Sequence, residues 1–294
     1  MPGSRSSNDN GRSLEYLITD SLARVKGCRL SPRTLNDQSR DSTTINRIEP
    51  KLRNSFTKAA GIVTPWILNE VGVSKSQAFK VDRHSDSDPG VVDITIKCAS
   101  RSLGVSIKHN HDALSHPRPY SLADWMGLAN TNIEIDHRSR MDSAIKKFRI
   151  AACGATTFPS LPAGVKLKLY QEACAECAKT VNKASSNPAA VSNLFEFLVG
   201  SNFKKVIVET NNTSYTLRSI SVSDYTKIST ATSVKALVDN RPRASSLLLS
   251  FDNGWTIDLR IKNASTRISP TGQVSLKFDA QKKHGAVPPA TTLF

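Results

Sequence analysis

The chain reads as an α/β fold, with a helix-rich front (residues 13–200) and a β-rich C-terminal extension (201–294). Three observations lead there. Helical periods dominate before Gly200. After it the pattern turns to mostly alternating runs rich in β-branched residues. Two short apolar runs, Val91–Ile96 and Leu103–Ile107, interrupt the helical front as a strand pair. No long low-complexity linker divides the chain, so 13–294 reads as a single domain behind a disordered tail, residues 1–12, of Ser, Asn, Gly and Arg.

In order, Ser13 caps a first helix whose apolar residues fall at 14, 17, 18, 22 and 25. A polar stretch from about 27 to 43 reads as a loop. The segment STTINRIEPKLRNSFTKAAGIVTPWILNEVG holds a helix opened by Pro50 and stopped by Gly72, with Pro65 a second start or a kink. Residues 74–90 are polar and carry Asp82, Asp86 and Asp88, and the strand pair follows. A basic helix is expected over 138–150, a Pro- and Gly-bearing loop over 153–164, and helices over 166–182 and 191–200. FKKVIVET, TSYTLRSISV, SSLLLSF, WTIDLRIKN and QVSLKFDA then read as strands, with no repeat period.

Composition narrows the function classes. Forty Lys and Arg against 25 Asp and Glu leave a net charge of +15 and a pI near 9.8. That surplus draws polyanions, and because it is spread along the chain it points to a basic face or cleft that binds nucleic acid. A basic soluble surface is the plainer account of the same number. No run approaches the roughly 18 apolar residues that span a bilayer, and the N-terminus lacks a signal-type apolar core, so a cytoplasmic protein is expected. Five scattered cysteines form no disulfide framework. Cys174 and Cys177 form the one CxxC, without the second ligand pair a structural zinc needs, so they read as two thiols on one helix face.

Chemistry gathers between Asp88 and Tyr120. Asp93 interrupts the first strand, and Lys108 ends the second. An acid and a lysine converging from neighbouring strands suit metal-dependent phosphodiester hydrolysis, where a hard cation takes carboxylate oxygens and the lysine steadies developing charge. Nucleases of the PD-(D/E)xK type use that arrangement. Here the second half reads Ser106-Ile107-Lys108, with a serine at the acid's position and a hydroxyl as a weak metal ligand. The missing carboxylate is sought first at Glu70, then Glu49, then Asp88. By itself the pattern also fits an edge-strand charge.

His109, Asn110, His111, Asp112, His116 and Arg118 follow at once. Imidazole can act as base, metal ligand or phosphate partner near neutral pH, and Asn and Arg can contact base edges. A polar loop with fortuitous histidines is the alternative. The His-x-His-x4-His spacing matches no common zinc site. The letters His-Asn-His are no evidence for an HNH nuclease, whose histidines are spread over a hairpin and helix.

DITIK…LGVSIKHNHDALSHPRPYSL, on to Trp125, resembles the core of the HaeIII-type restriction endonucleases. SLEYLITDSL, INRIEPKL, NLFEFLVGSNFKKVIV and GWTIDLRIKNASTRISPTGQVSLKFDA resemble that family's other segments in the same order, and only 130–165 shows little likeness. The resemblance implies a type II restriction endonuclease with a PD-(D/E)xK-like core, cutting double-stranded DNA with magnesium (Mg2+) at a GGCC-type target. It also implies that Ser106 at the acid position is the family's habit. Carried over by position, Asp93 is the metal ligand and Lys108 the catalytic lysine. Glu70 and Ser106 complete the expected metal set, and His109 joins the catalytic group. His109, Asn110, His111 and Arg118 lie at the DNA face. Departures at Ser115–Pro119 and the inserted ISPTGQV leave the exact target open.

Further DNA contacts are expected from His116, Lys147 on the basic helix, and Arg260, Lys262 and Asn263 in the C-terminal strands, although solvated faces explain these residues as well. Trp255 reads as core. A two-fold homodimer would match a palindromic target, and a cognate DNA methyltransferase is expected genetically. The competing class is a catalytically degenerate DNA-binding protein; a third reading is a structure- or damage-directed nuclease on the same core.

Overall fold

A computed structural model of the chain describes residues 5–74, 77–84, 91–112, 114–239, 241, 245–271, 274–286 and 289–294. Among the described residues seven α-helices form: α1 (Arg5–Ala23), α2 (Pro32–Asp41), α3 (Pro50–Val71), α4 (Leu122–Trp125), α5 (Asn132–Ala151), α6 (Val165–Ala184) and α7 (Pro188–Leu198). The strands are β1 (Cys28–Leu30), β2 (Phe79–Arg83), β3 (Ile94–Cys98), β4 (Arg101–His109), β5 (Phe203–Thr210), β6 (Leu217–Asp224), β7 (Val234–Val238), β8 (Ser246–Phe251), β9 (Thr256–Asn263), β10 (Leu276–His284) and β11 (Thr291–Thr292). The chain divides into two compact units, one of residues 1–112, 200–228 and 287–294, the other of 113–199 and 229–286. The division cuts across the expected boundary at 201, because the chain leaves the first unit and re-enters it twice.

The first unit is a seven-stranded sheet in the order β1-β2-β3-β4-β5-β6-β11. β2, β3 and β4 form an antiparallel meander, β5 lies parallel to β4, and β6 returns antiparallel. A parallel neighbour requires a crossover, and here the crossover is the chain from Asp112 to Gly200. α1 and α3 contribute to the core. Leu14, Ile18 and Leu22 of α1, and Leu52, Phe56, Ala59, Val63 and Ile67 of α3, recur at helical spacing and are buried. The strands answer with alternate residues: Ile94 and Ile96, Leu103, Val105 and Ile107, Val206 and Val208. Gly72 ends α3 with φ 73°, its N–H returning to the Asn69 and Leu68 carbonyls. Pro65 is absorbed within one continuous helix.

Three expectations change here. Residues 5–12 are helical and extend α1, so Ser13 is a fully buried interior residue and not a cap. The stretch 27–43 carries β1 and α2. Ser31 caps α2 by accepting from the Thr34 N–H, and Pro32 sits at its first turn, so end chemistry and not apolar period makes this helix. The polar stretch after residue 74 includes strand β2.

The second unit is a four-stranded antiparallel sheet, β10-β9-β8-β7, with α6 against β7 and β8. Leu247, Leu249, Ile257, Leu259 and Phe278 are its buried strand residues. Phe195 of α7 meets Phe251 and Trp255 edge-on, with ring centroids 5.2 and 5.8 Å apart. Trp255 is core, as expected. Cys174 and Cys177 are fully buried in α6, and burial pushes both thiols well above their ordinary range. β7 has no counterpart among the expected strands.

Candidate active site at the end of the β3–β4 hairpin

The hairpin turns at Ala99 and Ser100, with Ala99 left-handed at φ 51°. At the open end of the hairpin, pairing stops at Ile94, the first residue of β3, opposite Val105, while β4 runs on to His109. Asp93 sits at that step, its N–H donating to the Val105 carbonyl at 3.0 Å. One carboxylate oxygen, Oδ2, accepts from the Ile107 N–H at 2.6 Å, Lys108 Nζ at 3.0 Å and Ser106 Oγ at 3.2 Å. Three donors, one an ammonium, fix the direction of that oxygen. Ser106 is fully buried, and its hydroxyl points at the acid. It aims Asp93 where it was expected to join the metal ligands.

The second carboxylate near this pair belongs to Glu15 on α1. Its side chain is 19% exposed and accepts from Arg83 Nη2 at 3.0 Å. Burial first and the Asp93 charge second push the Glu15 carboxyl up to about 7, against the opposing pull of Arg83 and Lys108. Two acids thus lie within electrostatic reach, and each has a basic partner. Glu15 was not singled out from the sequence. Its signal is an acid beside the buried positions Leu14 and Ile18, a place where an amphipathic helix rarely leaves a charge.

Glu70 is placed elsewhere. Its carboxylate pairs with Lys204 at 3.4 Å, near the start of β5. α3 has 22 residues and so is about 33 Å long, and Glu70 is at the end away from Glu49. Glu49 precedes that helix and lines a cavity of about 410 Å³ together with His109, Asn110 and His111. Helix direction therefore separates the two candidates, and Glu70 pairs with Lys204, the β5 partner of Val105, and not with Asp93 or Lys108. Asp88 lies outside the described residues.

The residues after Lys108 secure the strand end. His109 Nε2 is 2.8 Å from Thr210 Oγ1, and its ring meets Phe56 edge-on at 4.8 Å. Burial, and then the nearby His111, depress its pKa to about 4, so it is neutral at neutral pH. Asn110 is left-handed at φ 60°. Its Oδ1 accepts from the Thr210 N–H at 2.7 Å and its Nδ2 donates to Asn212 Oδ1 at 2.9 Å, stapling β4 to β5. His111 is exposed on the cavity rim, its pKa lowered by burial and by Lys108. Asp112 accepts from Lys205 Nζ at 2.6 Å, and that buried ammonium also lies over the Tyr225 ring.

The remaining candidates lie in the second unit. His116 Nδ1 accepts from the Ala280 N–H at 3.2 Å, and Lys262 pairs with Asp279. Asn263 exchanges hydrogen bonds with the Tyr170 hydroxyl at 2.8 and 3.0 Å, a structural use of its polar groups. Arg118, Lys147 and Arg260 are exposed. On the basic helix, Arg138 pairs with Asp124 and Glu134, and Arg140 with Asp136 and Glu176. Lys146 and Lys147 keep exposed positions there.

No helix among the described residues is long and apolar enough to cross a membrane. No solved structure matches the chain. The Type II restriction enzyme HaeIII of Haemophilus aegyptius is 24% identical over 313 residues, covering 94% of each chain. The model of the HaeIII restriction endonuclease family matches residues 11–283. The chain belongs to that family, and with it to the type II site-specific deoxyribonucleases.

Proposed function

We propose that this type II restriction endonuclease hydrolyses phosphodiester bonds in double-stranded DNA with magnesium held at Asp93 and Glu15. The observation that carries the reading is Asp93 bonded to Lys108 at 3.0 Å, with Glu15 close enough for the Asp93 charge to disfavour its ionised form. Among the described residues no three His, Cys, Asp or Glu side chains converge as a ready-made metal cage. Magnesium does not need one, since one or two carboxylates with water and substrate phosphate are its usual set. The acid–acid repulsion is what a divalent cation would relieve, so the two residues fit it.

The chain's own residues then have distinct tasks. Asp93 and Glu15 present oxygens, and Ser106 and the Ile107 N–H fix the direction of Asp93. Lys108 supplies an ammonium to steady negative charge growing on the phosphate. When bound, magnesium would supply an activated water and neutralise the leaving oxygen. His109 and Asn110 hold the end of β4 in place, and His111 on the cavity rim is the candidate for DNA contact, with Arg118, Lys147 and Arg260 as further phosphate contacts. The meander β2–β4 and parallel β5, with an acid and a lysine at the hairpin's open end, support a PD-(D/E)xK-like core.

Target and assembly extend the family likeness. GGCC is the site carried over from HaeIII, a two-fold dimer matches such a palindrome, and a cognate methyltransferase would protect a bacterial genome from a cytoplasmic enzyme. Digestion of phage DNA with magnesium and sequencing of the fragment ends tests the reading: ends at one short palindrome are expected. Salt-sensitive binding without cleavage in any divalent metal would instead leave the degenerate DNA-binding protein, the reading that Ser106 at the acid position favours.

A further inference from the structure

Behind Glu15 lies a set of buried charges that the proposed chemistry does not use. Arg83, the last residue of β2, is 3% exposed. Its Nη2 lies 3.0 Å from Glu15 Oε2 and also 3.0 Å from Asp41 Oδ2, and its Nη1 donates to Gln38 Oε1 at 2.9 Å. Asp41, at the end of α2, is fully buried. Burial opposes its charge, but Arg40 and Arg83 hold its carboxyl below the ordinary range. Arg40 bonds it at 2.8 Å and also reaches Asp37 at 2.9 Å. One guanidinium is therefore shared by two acids, and it stands beside the site: Arg83 pairs with Ile94 across β2 and β3, and the next residue's N–H donates to the Asp93 carbonyl at 2.9 Å.

A buried guanidinium that loses its carboxylate is strongly destabilising, so an arginine with Glu15 as sole partner would resist giving it up. Asp41 removes that obstacle. We propose that Arg83 is a positioning residue that sets the site's affinity for a divalent cation, holding Glu15 when the site is empty and leaning on Asp41 when Glu15 turns to the cation. The proposal rests on Asp93 and Glu15 being the metal-binding pair. It makes α2, a helix without catalytic groups of its own, the element that tunes the site.

Manganese binding to the full chain, followed by electron paramagnetic resonance, tests it without reference to cleavage. Asp41→Asn leaves Glu15 as the one carboxylate on Arg83, and affinity is expected to fall roughly tenfold. Arg83→Gln frees Glu15, and affinity is expected to rise by a similar factor, with circular dichroism checking the fold. Should Arg83→Gln not fold, Arg40→Gln at a half-exposed residue serves in its place: Asp41 then draws Arg83 harder, and affinity rises severalfold. Asp37→Asn removes a nearby acid that touches Arg40 and not Arg83, and should leave affinity within about twofold if the relay is specific. Equal losses in Asp37→Asn and Asp41→Asn, or no change in Asp41→Asn, would overturn the proposal. Unchanged manganese binding in Glu15→Gln would instead overturn the metal pair itself.

Discussion

The two units carry the basic surplus almost evenly but place their ions differently. In the second unit the ion pairs sit mainly on helix surfaces, such as Lys183 with Asp136 and Lys179 with Glu176. In the first, charge goes inside: Arg83, Asp41 and Lys205 are buried, and Asp93 and Lys108 are each about one-fifth exposed. Surface pairs contribute little to stability, whereas buried charge is costly unless it is paired and hydrogen-bonded. A fold that keeps such a cluster at one hairpin end does so for chemistry. The contrast supports the proposed site in the first unit and leaves the second unit's exposed cations as candidates for backbone contact.

The largest effect expected from that contrast is at Lys108. Lys108→Ala should lower the cleavage rate at least about a hundredfold while cognate binding changes little, as read by gel shift in calcium. Near-normal cutting would remove Lys108 from the site. Next, Glu15→Gln should raise the magnesium concentration needed for half-maximal cleavage by roughly ten- to a hundredfold, and Glu70→Gln should leave it near wild type. The reverse order would restore Glu70 as the missing acid.

A smaller effect concerns acid. The folded His109 pKa of about 4 is below its ordinary 6.5, so its contribution to stability is full above pH 6.5 and is lost as pH falls through 4. Urea midpoints measured from pH 7 to pH 4 should therefore fall less steeply in His109→Gln than in the wild type. Equal slopes would mean the imidazole is not buried as described. Smallest of all, Lys183→Ala in the second unit should leave the thermal melting midpoint essentially unchanged. A larger loss would blur the distinction between the units.

Much of this was legible in the sequence for physical reasons. α3, α5, α6 and α7 show apolar periods, and β5, β6, β8, β9 and β10 show strand patterning, so their existence could be read directly. Asp93 and Lys108 lie on consecutive strands, a pairing that sequence distance nearly dictates. α2 escaped because its buried residues are Thr34, Asp37 and Asp41, which carry no apolar period. β2 escaped because FKVDR is short and half polar. Glu15 escaped because its place beside Asp93 is made by α1 packing in the folded unit, and Glu70 was favoured because it is close in sequence, whereas its carboxylate pairs with Lys204 of β5.

Ser106 has one more consequence. Because a hydroxyl stands where an acid would, Asp93 is matched by Lys108 and Glu15 by Arg83, and each carboxylate has an internal counter-ion. A third acid there would have left uncompensated charge for a bound ion to hold together. With the charges balanced from within, the folded chain is expected to keep its shape without a bound ion. Chelator added to a purified sample should then silence the enzyme while its melting temperature holds, and added magnesium should restore it without refolding.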